Sequence, residues 1–345
     1  MPVKTENRLC VRCVLPENFP GVKFDEHGVC NHCLSAPTLE EVKESVANLH
    51  SELVNAIENN KGGRDYDCIV AYSGGKDSSY TLMALSRDFG LKCLAVTVDN
   101  GFMSDQARIN AARVTSALGV DYQLFTPAWS FMSGMYRESV NNPDIHSRAA
   151  IKRASAICNS CIGLINVYMI RLALMHGSRL IAGGYIGGQV PKDTAVLELN
   201  LDLYTKTRES TIGRYETSFG EDTRKYFDIP QELLSTSQMR KVTVLNPMLA
   251  LNVSEEVIIE ELAPLGWTPT RDTGVNSSNC RLNDFGIAMH YNTHGFNPYV
   301  FEISEQVRHG LMTRDTALKK ALSIPSLEEV RWQAKKLDVE IDAVR

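Results

Sequence analysis

Ile69-Val70-Ala71-Tyr72-Ser73-Gly74-Gly75-Lys76-Asp77-Ser78-Ser79-Tyr80-Thr81-Leu82 is the stretch on which the reading of this chain turns. An apolar run gives way to two glycines and then to residues that suit a first helical turn. The spacing predicts a buried strand, a glycine turn and a helix N-terminus. Two glycines let backbone N–H groups approach an anion with no Cβ in the way. The helix adds orphan N–H donors and the positive end of its dipole. Lys76 adds a point charge for phosphate oxygens. Ser73 and Ser78 offer hydroxyls, and Asp77 can cap the helix or help to hold Mg2+. An ordinary strand–turn–helix link needs no lysine, acid and serines in this order. A Walker A loop would run G-x-x-x-x-G-K-S/T, and this stretch does not.

Ser73-Gly74-Gly75-Lys76-Asp77-Ser78 matches the SGGxDS signature, and on it the chain resembles the PP-loop ATP pyrophosphatases over roughly residues 66–266. The resemblance implies a Rossmann-like α/β fold, a parallel sheet with helices on both faces. It implies that ATP adenylates a carbonyl oxygen, that pyrophosphate leaves, and that a nucleophile then displaces AMP. Lys76 and Asp77 become catalytic candidates. ATP is assigned to Ala71, Tyr72, Ser73, Gly74, Gly75, Lys76, Asp77 and Ser78, to Val98 and Asp99, and to Gly183 and Gly184.

A βα alternation runs outward from the loop. It reads as strand 67–72, helix 77–89, strand 92–98, helix 104–118 and strand 121–125. Helix and loop are expected over 129–150, a strand at 179–183, and a closing strand at 241–245 followed by helix 254–264. Ligands of open parallel sheets sit beyond the carboxyl ends of strands, which is where Asp99 and the glycine-rich Gly184-Tyr185-Ile186-Gly187-Gly188-Gln189 fall. Many PP-loop thiolases carry a His and paired acids at this second place; here Asp193 is the candidate substitute. Arg148, Lys152 and Arg153 read as a solvated basic face. The charged stretch 200–240 reads as irregular, an inserted lid or an oligomer contact, the latter implying a homodimer.

Nine cysteines are many for a chain with no secretory signal at its start. In a reducing compartment they suit metal ligation or thiol chemistry better than disulfides. Cys10/Cys13 and Cys30/Cys33 form two CxxC knuckles within residues 1–36, able to close a tetrahedral Zn2+ site that would hold a segment too short for its own core. An amphipathic connecting helix over 37–62, capped at Thr38, leads from this zinc ribbon to the alternation within a linker region 37–65. Cys158/Cys161 opens a long apolar helix, where a dipole favours thiolates. In PP-loop tRNA 2-thiolation enzymes a similarly placed pair joins a distant third cysteine to hold an iron–sulfur cluster or form a persulfide. The resemblance makes Cys280, in the C-terminal helical region 267–345, the third member of a 4Fe-4S ligand set and all three catalytic candidates. Cys68 and Cys93 read as core residues, and His290 and His294 as packing residues on one helix face.

A chain of 345 residues with 43% hydrophobic residues, net charge −5 and a pI near 5.9 lacks the basic footprint expected of a general nucleic-acid binder. The balance favours a small-molecule substrate over tRNA. The absence of a spanning apolar run or a signal region leads one to expect a cytoplasmic protein with no membrane partner. Three functions fit. The first is an ATP-dependent sulfurtransferase fed by a sulfur donor. The second is an amidotransferase fed with ammonia by a partner glutaminase. It rests on a resemblance to N-acetyl sugar amidotransferases in the ribbon, with Phe24-Asp25-Glu26-His27-Gly28-Val29, and in Val307-Arg308-x-Gly310 and Thr313-Arg314-Asp315-x-Ala317-Leu318. The third is a non-catalytic nucleotide-binding module.

Overall fold

Strand β1 (Cys68–Ala71) can lie at the centre of a sheet because both of its faces are apolar. Cys68 and Val70 join a core with Leu53, Ile57, Leu82 and Ala111 on one side of the sheet. Ile69 joins another with Met169, Leu172 and Ile229 on the opposite side. This alternation puts helices on both faces. The computed structural model describes residues 7–142, 145–236 and 241–340.

The other strands are β2 (Cys93–Val98), β3 (Asp121–Phe125), β4 (Leu180–Gly183), β5 (Val196–Asn200) and β6 (Lys241–Leu245). Their order is β3-β2-β1-β4-β6-β5, parallel except that β5 runs against β6. The α/β sheet expected from the sequence is therefore present. The chain turns to opposite sides of β1 to make β2 and β4. The crevice between the ends of β1 and β4 is thus the topological switch point where such sheets bind ligands.

The longer helices are α1 (Leu39–Asn60), α2 (Lys76–Met83), α3 (Asp105–Leu118), α4 (Trp129–Asn141), α5 (Ala156–His176), α6 (Leu201–Phe219), α7 (Thr223–Phe227), α8 (Glu255–Leu262), α9 (Asn283–His294), α10 (Val300–Arg308), α11 (Arg314–Ala321) and α12 (Leu327–Leu337). The expected α1 cap is a full capping box, Thr38 with Glu41. The single helix expected at 77–89 instead passes into a π-helical turn at Ala84–Asp88.

Three expectations need correction. The described part of 200–240 is not irregular: it holds α6, α7 and the short helix Gln231–Thr236, while 237–240 lie outside the described residues. Ile212, Tyr226 and Phe227 are buried in a core with Phe131, Met132 and Leu164, so the α6–α7 segment is packed structure and not a lid. Secondly, β5 is a strand that the sequence reading passed over. Thirdly, α5 is long and apolar enough to cross a membrane by length and composition. It reads that way because its apolar residues meet the sheet on one side and α4 and α9 on the other, as Ile157, Leu164, Met169 and Leu172 do.

The N-terminal knuckles do not stand apart. Cys10, Cys13, Phe19, Cys30 and Cys33 share one hydrophobic cluster with Phe296, Val300, Ile303 and Ala317. Segments from the two ends of the chain thus make a common unit, and α10 is its link to the sheet.

Candidate active site and metal centre

A cavity of about 990 Å³ opens at the switch point. Of the residues that the resemblance assigns to ATP, Ala71, Tyr72, Ser73, Gly75, Lys76, Asp77, Ser78, Val98, Gly183 and Gly184 all line it. Gly74 and Asp99 do not, among the described residues. Gly74 has a φ of +71°, and a Cβ there would lie 2.0 Å from the Ala107 carbonyl oxygen. Its task is to make the turn and let α3 come close. Asp99 is turned aside: Oδ1 accepts from the Gly101 N–H at 3.0 Å, and Oδ2 pairs with Arg108 at 3.0 Å. The neighbouring Asn100 faces the cavity instead.

Gly184 matters for the opposite wall. A Cβ there would lie 2.6 Å from the Ser78 nitrogen, so only glycine leaves the first turn of α2 this closely covered. A loop 202 residues away covers it from above: Ser278 Oγ accepts from the Lys76 N–H at 3.1 Å. Trp267 Nε1 donates to the Gly74 carbonyl at 3.0 Å. Neither contact was legible in the motif, although Ser278 lies two residues before the singled-out Cys280.

Lys76 Nζ sits 2.8 and 2.9 Å from the two Asp77 oxygens and 3.6 Å from Glu255 Oε2. Burial works against its charge, but Asp77 and Glu255 outweigh that and raise its pKa. Lys76 is therefore a fixed cation held by carboxylates. Lys320 reaches the same Glu255 oxygen at 2.6 Å. Glu255 itself is raised by burial, but the two lysines lower it further and hold it ionised. Across the cavity Glu302 Oε2 accepts from Gln189 Nε2 at 2.9 Å. Asp193, the expected substitute acid, is exposed and absent from the lining. Arg153, expected on a solvated face, is half-buried, lines the cavity and donates to the Gly188 carbonyl at 3.3 Å; Arg148 is exposed as expected.

Cys158, Cys161 and Cys280 all line the same cavity, although two of them come from α5 and the third from a loop over a hundred residues on. Each has a polar neighbour from another element. Tyr299 Oη lies 3.6 Å from Cys158 Sγ, Tyr136 adjoins Cys161, and Asn100 Nδ2 donates to Cys280 Sγ at 3.2 Å. Burial pushes the Cys161 thiol up to about 12 and the Cys280 thiol to about 11. As free thiols these two stay protonated at neutral pH, and a metal that displaces the proton would change that. Their sulfurs do not converge on a single point, since only the N-terminal four have ligand atoms all within 4.8 Å among the described residues. A cluster carries its thiolates on separate irons and so suits a more open set.

Cys10, Cys13, Cys30 and Cys33 are all buried and form that tight group. Backbone N–H groups point at three of the sulfurs: Cys30 N at Cys10 (3.2 Å), Leu15 N at Cys13 (3.4 Å) and Cys33 N at Cys30 (3.4 Å). Hydrogen bonds from Cys30 and Cys33 pull the Cys13 thiol well down. Four soft donors with N–H support fit one tetrahedral ion. Mg2+ has no such cage: Asp77 is committed to Lys76, and no three carboxylates of the described residues meet within 4.8 Å. An ion there would come with the phosphates, as Mg2+ commonly does. His290 is buried between His294 and Phe296, a packing position.

No protein-family profile matches the chain. It is 24% identical over 326 residues, covering 92% of this chain and 95% of the other, to an uncharacterized protein of Methanocaldococcus jannaschii. Among solved structures it is similar to the U34-tRNA thiolase NcsA from Methanococcus maripaludis with its 4Fe-4S cluster, at 14% identity, 97% and 91% coverage and a TM-score of 0.31. NMN synthetase from Francisella tularensis aligns at 13% identity, 83% and 98% coverage and a TM-score of 0.31. NH3-dependent NAD synthetase from Campylobacter jejuni aligns at 11%, 66% and 97%, with a TM-score of 0.29. Likenesses of this size assign no function to the chain.

Proposed function

We propose that this protein is an ATP-dependent sulfurtransferase acting on a carbonyl or lactam oxygen of a small molecule. One observation carries the reading: the glycine–lysine loop and Cys158, Cys161 and Cys280 line a single cavity. The first-turn amides of α2 and Lys76 receive the phosphates of ATP and stabilise the charge of departing pyrophosphate. The substrate oxygen attacks the α-phosphorus, the bond to pyrophosphate breaks, and the carbon is left bearing AMP as leaving group. Sulfur then adds to that carbon and the C–O bond to AMP breaks. A 4Fe-4S cluster on the three cysteines would leave one iron open to hold sulfide brought by a separate donor. Zn2+ at the N-terminal four is structural in this reading.

A second reading is favoured by the ribbon and tail. Arg314 Nε donates to the Cys13 carbonyl at 3.0 Å and Nη2 to the Cys10 carbonyl at 3.2 Å. The two segments that resemble N-acetyl sugar amidotransferases are thus one packed unit, and ammonia from a glutaminase would replace sulfur as nucleophile. Pyrophosphate release on a panel of amides and lactams, with sulfide or with ammonium, separates the two. Protein purified without air should contain iron and sulfide and absorb broadly in the visible, and Cys158→Ala should abolish that absorption. Zinc as the sole metal together with full activity of Cys158→Ala would overturn sulfur transfer.

A further inference from the structure

Helix α10 lies outside the PP-loop resemblance, yet it supplies a carboxyl to the cavity. Tyr299, just before its first residue, meets Cys158; Glu302, one turn on, lines the cavity within the field of Lys76 and Asp77. A Cβ on Gly188 would lie 2.5 Å from Glu302 Cα, so the helix backbone and the 184–189 loop are in direct contact. Gln306 Nε2 donates to the Gly187 carbonyl at 3.3 Å and secures the same seam. Gln189 fixes one oxygen of Glu302, and the other has no hydrogen-bond partner among the described residues.

The charges that act on Glu302 are Lys76 and Asp77 from α2 and Lys320 from α11, and Glu255 from α8 pairs with both lysines. Tyr299 adjoins it on its own element, the loop contributes only the neutral Gln189, and Arg153 is spent on the Gly188 carbonyl. Two lysines against two carboxylates cancel, so Glu302 is the unmatched charge of the site. A polyphosphate arriving at Lys76 would draw away the nearest cation and bring more negative charge.

We infer that Glu302 is the proton-exchanging carboxyl of the cavity, taking one proton from solvent as a nucleoside polyphosphate binds and returning it when pyrophosphate leaves. The inference rests on the ATP reading above. Burial pushes Glu302 up to about 7, with Gln189 opposing and the charge of Asp77 adding to the rise. A carboxyl poised there responds to a change of neighbouring charge at neutral pH. The carboxylate regenerated after pyrophosphate release stands one helical turn from the Cys158 end, where the proton of an S–H or N–H nucleophile must go.

Calorimetric titration of the intact protein with Mg-ATP, in buffers of different ionisation enthalpy, counts the protons. At about pH 8, where a carboxyl titrating near 7 starts mostly ionised, the intact protein should take up close to one more than Glu302→Gln, and its affinity should fall about tenfold more than that of the variant from about pH 6.5 to about pH 8.5. Gln189→Leu keeps the carboxyl and removes the bond that lowers it, so the midpoint of uptake should move to higher pH. Equal proton counts in the intact protein and Glu302→Gln, or an unmoved midpoint in Gln189→Leu, overturn the inference while leaving ATP binding intact. Failure of the intact protein to bind Mg-ATP overturns the nucleotide reading and this one with it.

Discussion

Gly74 and Lys76 divide the work of the loop between fold and ligand, and mutation should separate them. Gly74 has the left-handed φ of +71° and abuts the Ala107 carbonyl. Gly74→Ala should cost about 1–2 kcal/mol for the backbone conformation alone, plus the clash, seen as a lower urea midpoint. Lys76→Gln keeps a polar side chain, one atom shorter, and should lower that midpoint less than Gly74→Ala does. It should weaken Mg-ATP binding about tenfold or more, since a charge-assisted contact to phosphate is lost. Equal loss of stability in both variants would mean that the lysine is a structural ion-pair partner. The loop was legible because all its chemistry is contiguous. Asp99 was misassigned for a related reason: the end of β2 points at the crevice, but whether Asp99 or Asn100 faces it depends on Arg108, nine residues away on α3. Ser278 and Glu302 had no local signal, because their role exists only where distant segments meet.

Helices and strands were legible in proportion to how far one face repeats. β1 and β2 are apolar but for Thr97 and were read correctly, but β5 alternates within a charged stretch and sits at the sheet edge, where no run of apolar residues is required. Helix α6 did carry its signal: Ile212, Tyr215 and Phe219 recur at helical spacing and pack into one cluster. The abundance of charges around them masked it. At this scale α10 has the most to lose. It is held on one side by the 184–189 loop and on the other by the knuckles, where Arg308 Nη1 lies 3.7 Å from Cys13 Sγ and Phe19 stacks on Phe301 at 5.5 Å. Removing the metal with a chelator should therefore loosen α10 as well as the ribbon. Amide hydrogen exchange should accelerate by about tenfold or more over residues 299–308, while β1 and β4 keep their protection. Arg314→Gln, which removes the two bonds to ribbon carbonyls, should produce a smaller change of the same pattern. Exchange confined to residues 9–34 would show the ribbon to be energetically separate from the cavity.

For the molecule as a whole, buried titratable groups set how stability depends on pH, and they act in opposite directions. His290 is 4% exposed, its Nε2 has no hydrogen-bond partner among the described residues, and burial lowers it to about 3, the neighbouring His294 adding to the effect. His146, bonded to Ser160 Oγ at 2.8 Å, is lowered by burial to about 4. Both stay neutral in the folded chain, whereas the unfolded chain protonates them near pH 6.5. Between about pH 6.5 and about pH 4.5 the unfolded state thus binds up to two more protons through these groups, and stability falls as pH falls. Glu302 has the opposite sign: its folded value of about 7 lies above the unfolded one, so in the same window the folded state holds one proton more. These three groups together leave a net difference approaching one proton, about 1.4 kcal/mol lost per pH unit on acidification, and the lowered His32 and Glu305 add to the loss. Urea midpoints measured across that window should show stability falling as pH falls. His290→Leu removes one of the protons gained on unfolding and should flatten the slope by up to about 1.4 kcal/mol per pH unit. Glu302→Gln removes the opposing group and should steepen it by a similar amount. Three parallel lines would mean that neither His290 nor Glu302 is held in the protonation state that its burial demands.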